Sequence, residues 1–184
     1  MKPYYFIFFL IFFQCKNNIE SNSIQDDTIE NSVNTMWNNF TKANPEYKTE
    51  AVPDSWFFHD NKSDANRLAQ LTLNGKKRAS SGLYLWYKEA NAGLPKVGTK
   101  QIVTNYNGRA IAIIETKKVD TIPFSNITKA YAALDMGTTI EPLKKWKNAH
   151  WAFFTNALKE SGKQPTQNML VVCEVFETIW PIKK

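Results

Sequence analysis

Asn107-Gly108 stands between two apolar runs, Gln101–Tyr106 and Arg109–Thr116, and no other feature constrains the fold as tightly. Both central positions of a type I′ hairpin turn need positive φ, which asparagine and glycine tolerate best. The chain therefore carries an antiparallel strand pair near its middle, and an all-helical fold is excluded. The 184 residues are enough for one domain with a short extension, and a hydrophobic share of 43% supplies an ordinary core.

Helical patterns flank that hairpin. Ile29, Val33, Trp37 and Phe40 recur at helical spacing until Asn44-Pro45 stops them. Ser63 is placed to cap a helix with the stripe Ala65, Leu68, Ala69, Leu71 and Thr72, and Gly75 ends it. The aromatic run 83–87 reads as a strand, 93–98 as a loop, and 127–134 as a helix. A longer helix opens at Glu141-Pro142, carries Leu143, Trp146, His150, Phe153, Phe154 and Leu158, and closes at Gly162. Met169–Trp180 is a final strand. Strands and helices mixed this way predict a compact α+β domain around a curved or closed sheet.

The formal charge of +6 permits attraction to anions such as nucleic acid or lipid headgroups without requiring it. Cys15 and Cys173 form no internal disulfide framework, and His59 and His150 lie far apart, so neither a metal nor a cofactor is expected. At the start, Lys2 precedes the uncharged apolar run Tyr4–Phe13. That run falls short of the roughly 20 residues a membrane-spanning helix needs, but it has the order of a secretory signal. Its ending, Phe13-Gln14-Cys15, resembles the start of a bacterial lipoprotein. The resemblance implies cleavage before Cys15, a lipid on its sulfur, and an exported, membrane-anchored protein. The other reading is an apolar segment packed on a cytoplasmic domain. Residues 16–28, poor in apolar side chains, read as a solvated tether.

Chemistry concentrates in Gly75-Lys76-Lys77-Arg78-Ala79-Ser80-Ser81. Lys77 and Ser80 face opposite sides if the segment is extended and meet if it turns. A serine hydroxyl becomes a competent nucleophile when a neighbour takes its proton, and a lysine does so once nearby cations or burial lower its pKa. The alternative is a solvated basic turn.

The same segment, with Phe58-His59-Asp60, Leu85-Trp86-Tyr87, Leu94–Gly98, Ile113–Thr116, Ile122-Pro123-Phe124, Trp146–Phe154 and Val172–Phe176, resembles the ASCH domain from about Trp56 to Trp180. That resemblance implies an α+β fold, a PUA-like β-barrel decorated by helices, associated with RNA and modified nucleosides. One branch of the superfamily is similar to amidohydrolases that deacylate N4-acetylcytidine with a lysine, a threonine three residues later and a distant glutamate. Another branch has ribonuclease activity. By position the lysine falls on Lys77, the threonine on Ser80, and the acid on Asp135, with Glu141 as fallback. Serine and aspartate thus replace threonine and glutamate.

Lys76, Tyr87 and Glu115 complete the expected ligand-binding set. Glu115 interrupts an apolar strand and calls for a partner such as a lysine of the basic turn. Trp86 reads as core, and His150 as a hydrogen-bonded core histidine. The expected function is hydrolysis or binding of a nucleoside or RNA fragment. The alternatives are a non-catalytic RNA- or nucleotide-binding module, a ribonuclease, and an envelope lipoprotein for another ligand.

Overall fold

The computed structural model describes residues 19–159 and 161–182. Cys15 and the apolar start lie outside them. Helix α1 (Ile19–Ala43) is followed by strand β1 (Ser55–Trp56), helix α2 (Lys62–Leu73), strand β2 (Ala79–Leu83) and helix α3 (Tyr84–Glu89). Strands β3 (Lys100–Thr104) and β4 (Ala110–Pro123), helices α4 (Lys129–Met136) and α5 (Pro142–Lys159), and strand β5 (Leu170–Trp180) complete the chain. The strands form one sheet in the order β1-β3-β4-β5-β2, antiparallel except where β1 joins β3. This is a PUA-like α+β fold whose edge strands β1 and β2 do not pair with each other.

The predicted hairpin is β3–β4, turning through residues 105–109 with Gly108 at φ 81. Its loop is longer than two residues because Asn105 closes it, its amide donating to the Arg109 carbonyl and its side chain accepting from Asn107 and Arg109 amides. Lys117 has no partner in the β4–β5 register and forms a bulge, which bends the long strand β4.

The pleat sends alternate residues of each strand to two cores. On one face Val103, Ile114 and Phe176 meet Phe58 and Ala69 of the α2 side. On the other, Ile102 and Ile113 are covered by Val33, Trp37 and Phe40 of α1. Further along that second face, Val171 and Cys173 meet Trp146, Phe154 and Phe124 under α4 and α5.

Several local expectations are corrected. Helix α1 begins at Ile19, so the segment read as a tether is helical from that residue on. Asn61, not Ser63, caps α2, its side chain accepting from the Asp64 amide at 2.9 Å. The run 83–87 is not a strand: β2 ends at Leu83 and Tyr84–Glu89 turns as a helix. Among the described residues no helix is long and apolar enough to cross a membrane.

Candidate functional site

The basic turn is held from both sides. The amides of Lys76 and Lys77 donate to the Leu71 carbonyl at the end of α2, at 2.9 and 3.1 Å, and the Arg78 amide donates to the Leu134 carbonyl of α4 at 2.8 Å. Gly137 ends α4 at φ 63, and a Cβ there would meet the Lys76–Lys77 backbone at 3.3 Å. Glycine thus lets turn and helix approach.

That approach delivers Lys77 to Asp135. The Lys77 ammonium donates to Asp135 Oδ1 and, at 2.8 Å, to the Asp135 backbone carbonyl. It also lies 4.7 Å from the centroid of the Phe58 ring. Lys77 is 4% exposed and Asp135 2%. Burial alone would push the Asp135 carboxyl up, but the Lys77 charge, His150 and two hydrogen bonds outweigh it and hold the carboxyl below its usual value.

Three more side chains address the other oxygen, Oδ2. Ser81 Oγ donates to it at 2.5 Å, Trp146 Nε1 donates at 2.8 Å, and His150 Nε2 stands at 3.4 Å. Ser81 also lies 2.9 Å from the Tyr131 hydroxyl, which donates to the Ser80 carbonyl at 2.6 Å. His150 stacks on Trp146 with ring centroids 4.2 Å apart, and its Nδ1 lies 3.0 Å from the Trp146 carbonyl. Burial holds the imidazole below its ordinary pKa against the pull of Asp135, and raises the Tyr131 hydroxyl well above its own. Asp135 is the hub of a closed polar cluster joining β2, α4 and α5.

The sequence-predicted residues divide around that hub. Lys77 and Asp135 meet, but Ser80 does not join them. Its neighbour Ser81 supplies the hydroxyl, because β2 is extended and successive side chains face opposite ways. Ser80 pairs in register with Glu174 of β5 on the opposite face. Tyr87 reaches that face too, since a Cβ on Gly82 would meet its hydroxyl at 3.7 Å. Burial and the nearby Glu174 push the Tyr87 hydroxyl up to about 12. Lys76 is exposed at the turn, and Trp86 packs edge-on to Phe153 and Phe154. The Glu115 carboxylate accepts from Lys117 at 2.6 Å rather than from the basic turn, and Glu141 accepts from Lys144 at 3.2 Å, apart from the cluster.

Ser81, Tyr131 and Glu174 were not singled out from the sequence. Glu174, 8% exposed, takes a hydrogen bond from Thr116 Oγ1, and burial raises its carboxyl above the ordinary value against that bond. A lone acid in the apolar strand Val171–Phe176 was the available signal, the same one that marked Glu115. Among the described residues no three His, Cys, Asp or Glu side chains gather as a metal set.

A five-stranded PUA-like sheet with helices packed on both faces defines the class of domain. The chain belongs to the ASCH domain family, whose model matches residues 54–180. Its structure is similar to an ASCH domain from Lactobacillus crispatus, at 28% identity and a TM-score of 0.73, covering 80% of this chain and 94% of that one. It is also similar to a protein from Enterococcus faecalis, at 31% identity and a TM-score of 0.72, covering 81% of this chain and 88% of that one. No curated protein matches the chain.

Proposed function

We propose that this ASCH domain binds a nucleoside or an RNA fragment, and that Lys77 and Asp135 brace the turn before β2 without acting as base and orienter. The observation that carries this reading is the closure of the pair. An ammonium that donates to a carboxylate and a carbonyl while 4% exposed has no lone pair to offer and no route to a substrate. The exposed cation Arg78 stands two residues before half-buried Ser80 on the face that half-buried Tyr87 also reaches, which suits an anionic ligand with a polar ring. In titrations with short RNA, affinity is expected to fall steeply as salt rises, since phosphate contacts release counterions. N4-acetylcytidine is expected to survive incubation with the purified chain. A flat salt response together with acetate release would overturn this reading.

One contact favours a second reading, amide hydrolysis. Ser81, not Ser80, holds its hydroxyl 2.5 Å from an Asp135 oxygen, which accepts its hydrogen bond and orients it as a nucleophile. If acetate is released, Ser81→Ala must abolish the release, and equal turnover by that variant removes this mechanism.

Export and anchoring through a lipid on Cys15 belong to the same proposal and are supported by the order of residues 2–15. Radiolabelled palmitate is expected to enter the wild-type chain and to be absent from Cys15→Ala. Equal labelling of both refutes the anchor.

A further inference from the structure

The sheet face opposite the Asp135 cluster carries a line of polar side chains crossing every strand. By register and pleat, Trp56 of β1, Gln101 of β3, Thr116 of β4, Glu174 of β5 and Ser80 of β2 share that face. Each member from Trp56 to Glu174 sits one pair further along the neighbouring strand, so the line runs diagonally until Glu174 and Ser80 stand opposite each other. Tyr87 of α3 lies over Gly82 at its end.

Packing alone does not account for this line. Trp56 Nε1 and Gln101 Oε1 are buried and have no hydrogen-bond partner. Most buried polar atoms do have one. Glu174 is 92% buried from its 8% exposure, and Thr116 engages only its Oε1. Among the described residues, Glu174 Oε2 and the hydroxyls of Ser80 and Tyr87 make no hydrogen bond, and none of the three is sealed from solvent. Arg78, two residues before Ser80 and so on the same face, is exposed and makes no ion pair with a described residue.

We propose that Glu174, Ser80 and Tyr87 form the edge-reading part of a nucleotide site, with the base against the β2–β5 face and its phosphate on Arg78. A carboxyl beside two hydroxyls offers acceptors and donors side by side. That set matches a planar heterocycle whose N–H and C=O groups adjoin, which is a nucleobase edge. The inference rests on the nucleoside-binding reading above and moves the site from Lys77 to the opposite face of β2.

The test is calorimetric titration of the full chain with the four common nucleosides and their 5′-monophosphates, with melting curves as the folding control. At least one base is expected to bind. Glu174→Gln, which keeps the shape and an acceptor for Thr116, and Ser80→Ala are each expected to weaken binding about tenfold, the effect of one lost ligand hydrogen bond. Arg78→Ala is expected to weaken the monophosphate and leave the nucleoside unchanged. If the wild type binds and both Glu174→Gln and Ser80→Ala bind equally well, this site is wrong while the nucleotide reading stands. If no nucleoside or nucleotide binds the wild type, the reading fails and the site with it.

Discussion

Asp135→Ala is expected to lower the unfolding free energy by about 3–5 kcal/mol, because it strands the Lys77 charge in the interior without a counter-ion. The same change removes the acceptor that satisfies Ser81 Oγ and Trp146 Nε1. Removing both charges should cost less than removing one. The double variant Lys77→Met with Asp135→Leu is expected to return to within about 1–3 kcal/mol of wild type, the remainder reflecting the orphaned hydroxyl and indole. Urea denaturation of wild type, single and double variants decides the matter. A double variant no more stable than Asp135→Ala would show that stranded charge is not the cause.

The sign of the pH dependence follows from the same pair. The folded state holds the Asp135 carboxyl below its ordinary value, so its contribution is fully present above the ordinary carboxylate range. That contribution is lost as pH falls through the lowered folded value. The stability gap between wild type and Asp135→Ala is therefore expected to narrow on acidification below the ordinary range and to stay constant above it.

Trp37→Ala is the other large effect, at about 3–5 kcal/mol for a buried tryptophan truncated in a packed core. Trp37 is 3% exposed, stacks on Phe40 at 5.2 Å, and belongs with Val33 to the cover over Ile102 and Ile113. All three α1 residues precede the family match, which starts at residue 54. Helix α1 is nonetheless part of the folding unit, since Ile102 and Ile113 are both 0% exposed and would meet water without it. A chain begun at residue 54 is expected to aggregate during refolding, where the full chain does not. A loss under about 1 kcal/mol for Trp37→Ala in urea would mean that the α1 contact contributes little of the apolar burial it displays.

Periodic apolar patterns made most elements legible. Val33, Trp37 and Phe40 recur at the period of a helix and are the residues α1 buries. The stripe Trp146, Phe154 and Leu158 behaves the same way in α5. Such patterns are legible because each is set by one element's own geometry against a single apolar face. The aromatic run 83–87 has the propensity of a strand, but tertiary contacts override it and Tyr84–Glu89 is helical. Trp86 must reach Phe153 and Phe154 while Tyr87 folds back over Gly82, and only a helical turn does both.

The amino-acid order by itself determined the strand pair around Asn107-Gly108, the helix stripes and the presence of a cationic segment rich in hydroxyls. Which hydroxyl faces which acid was decided by the fold. A shift of one residue in the β2–β5 register would exchange Ser80 with Ser81. That register is set by contacts far apart in the chain: Arg78 with Leu134 and Phe176, Ser81 with Cys173, and Lys77 with Asp135. No local pattern encodes those distances, so the side of the sheet on which each group works emerges only once α4, α5 and β5 have packed.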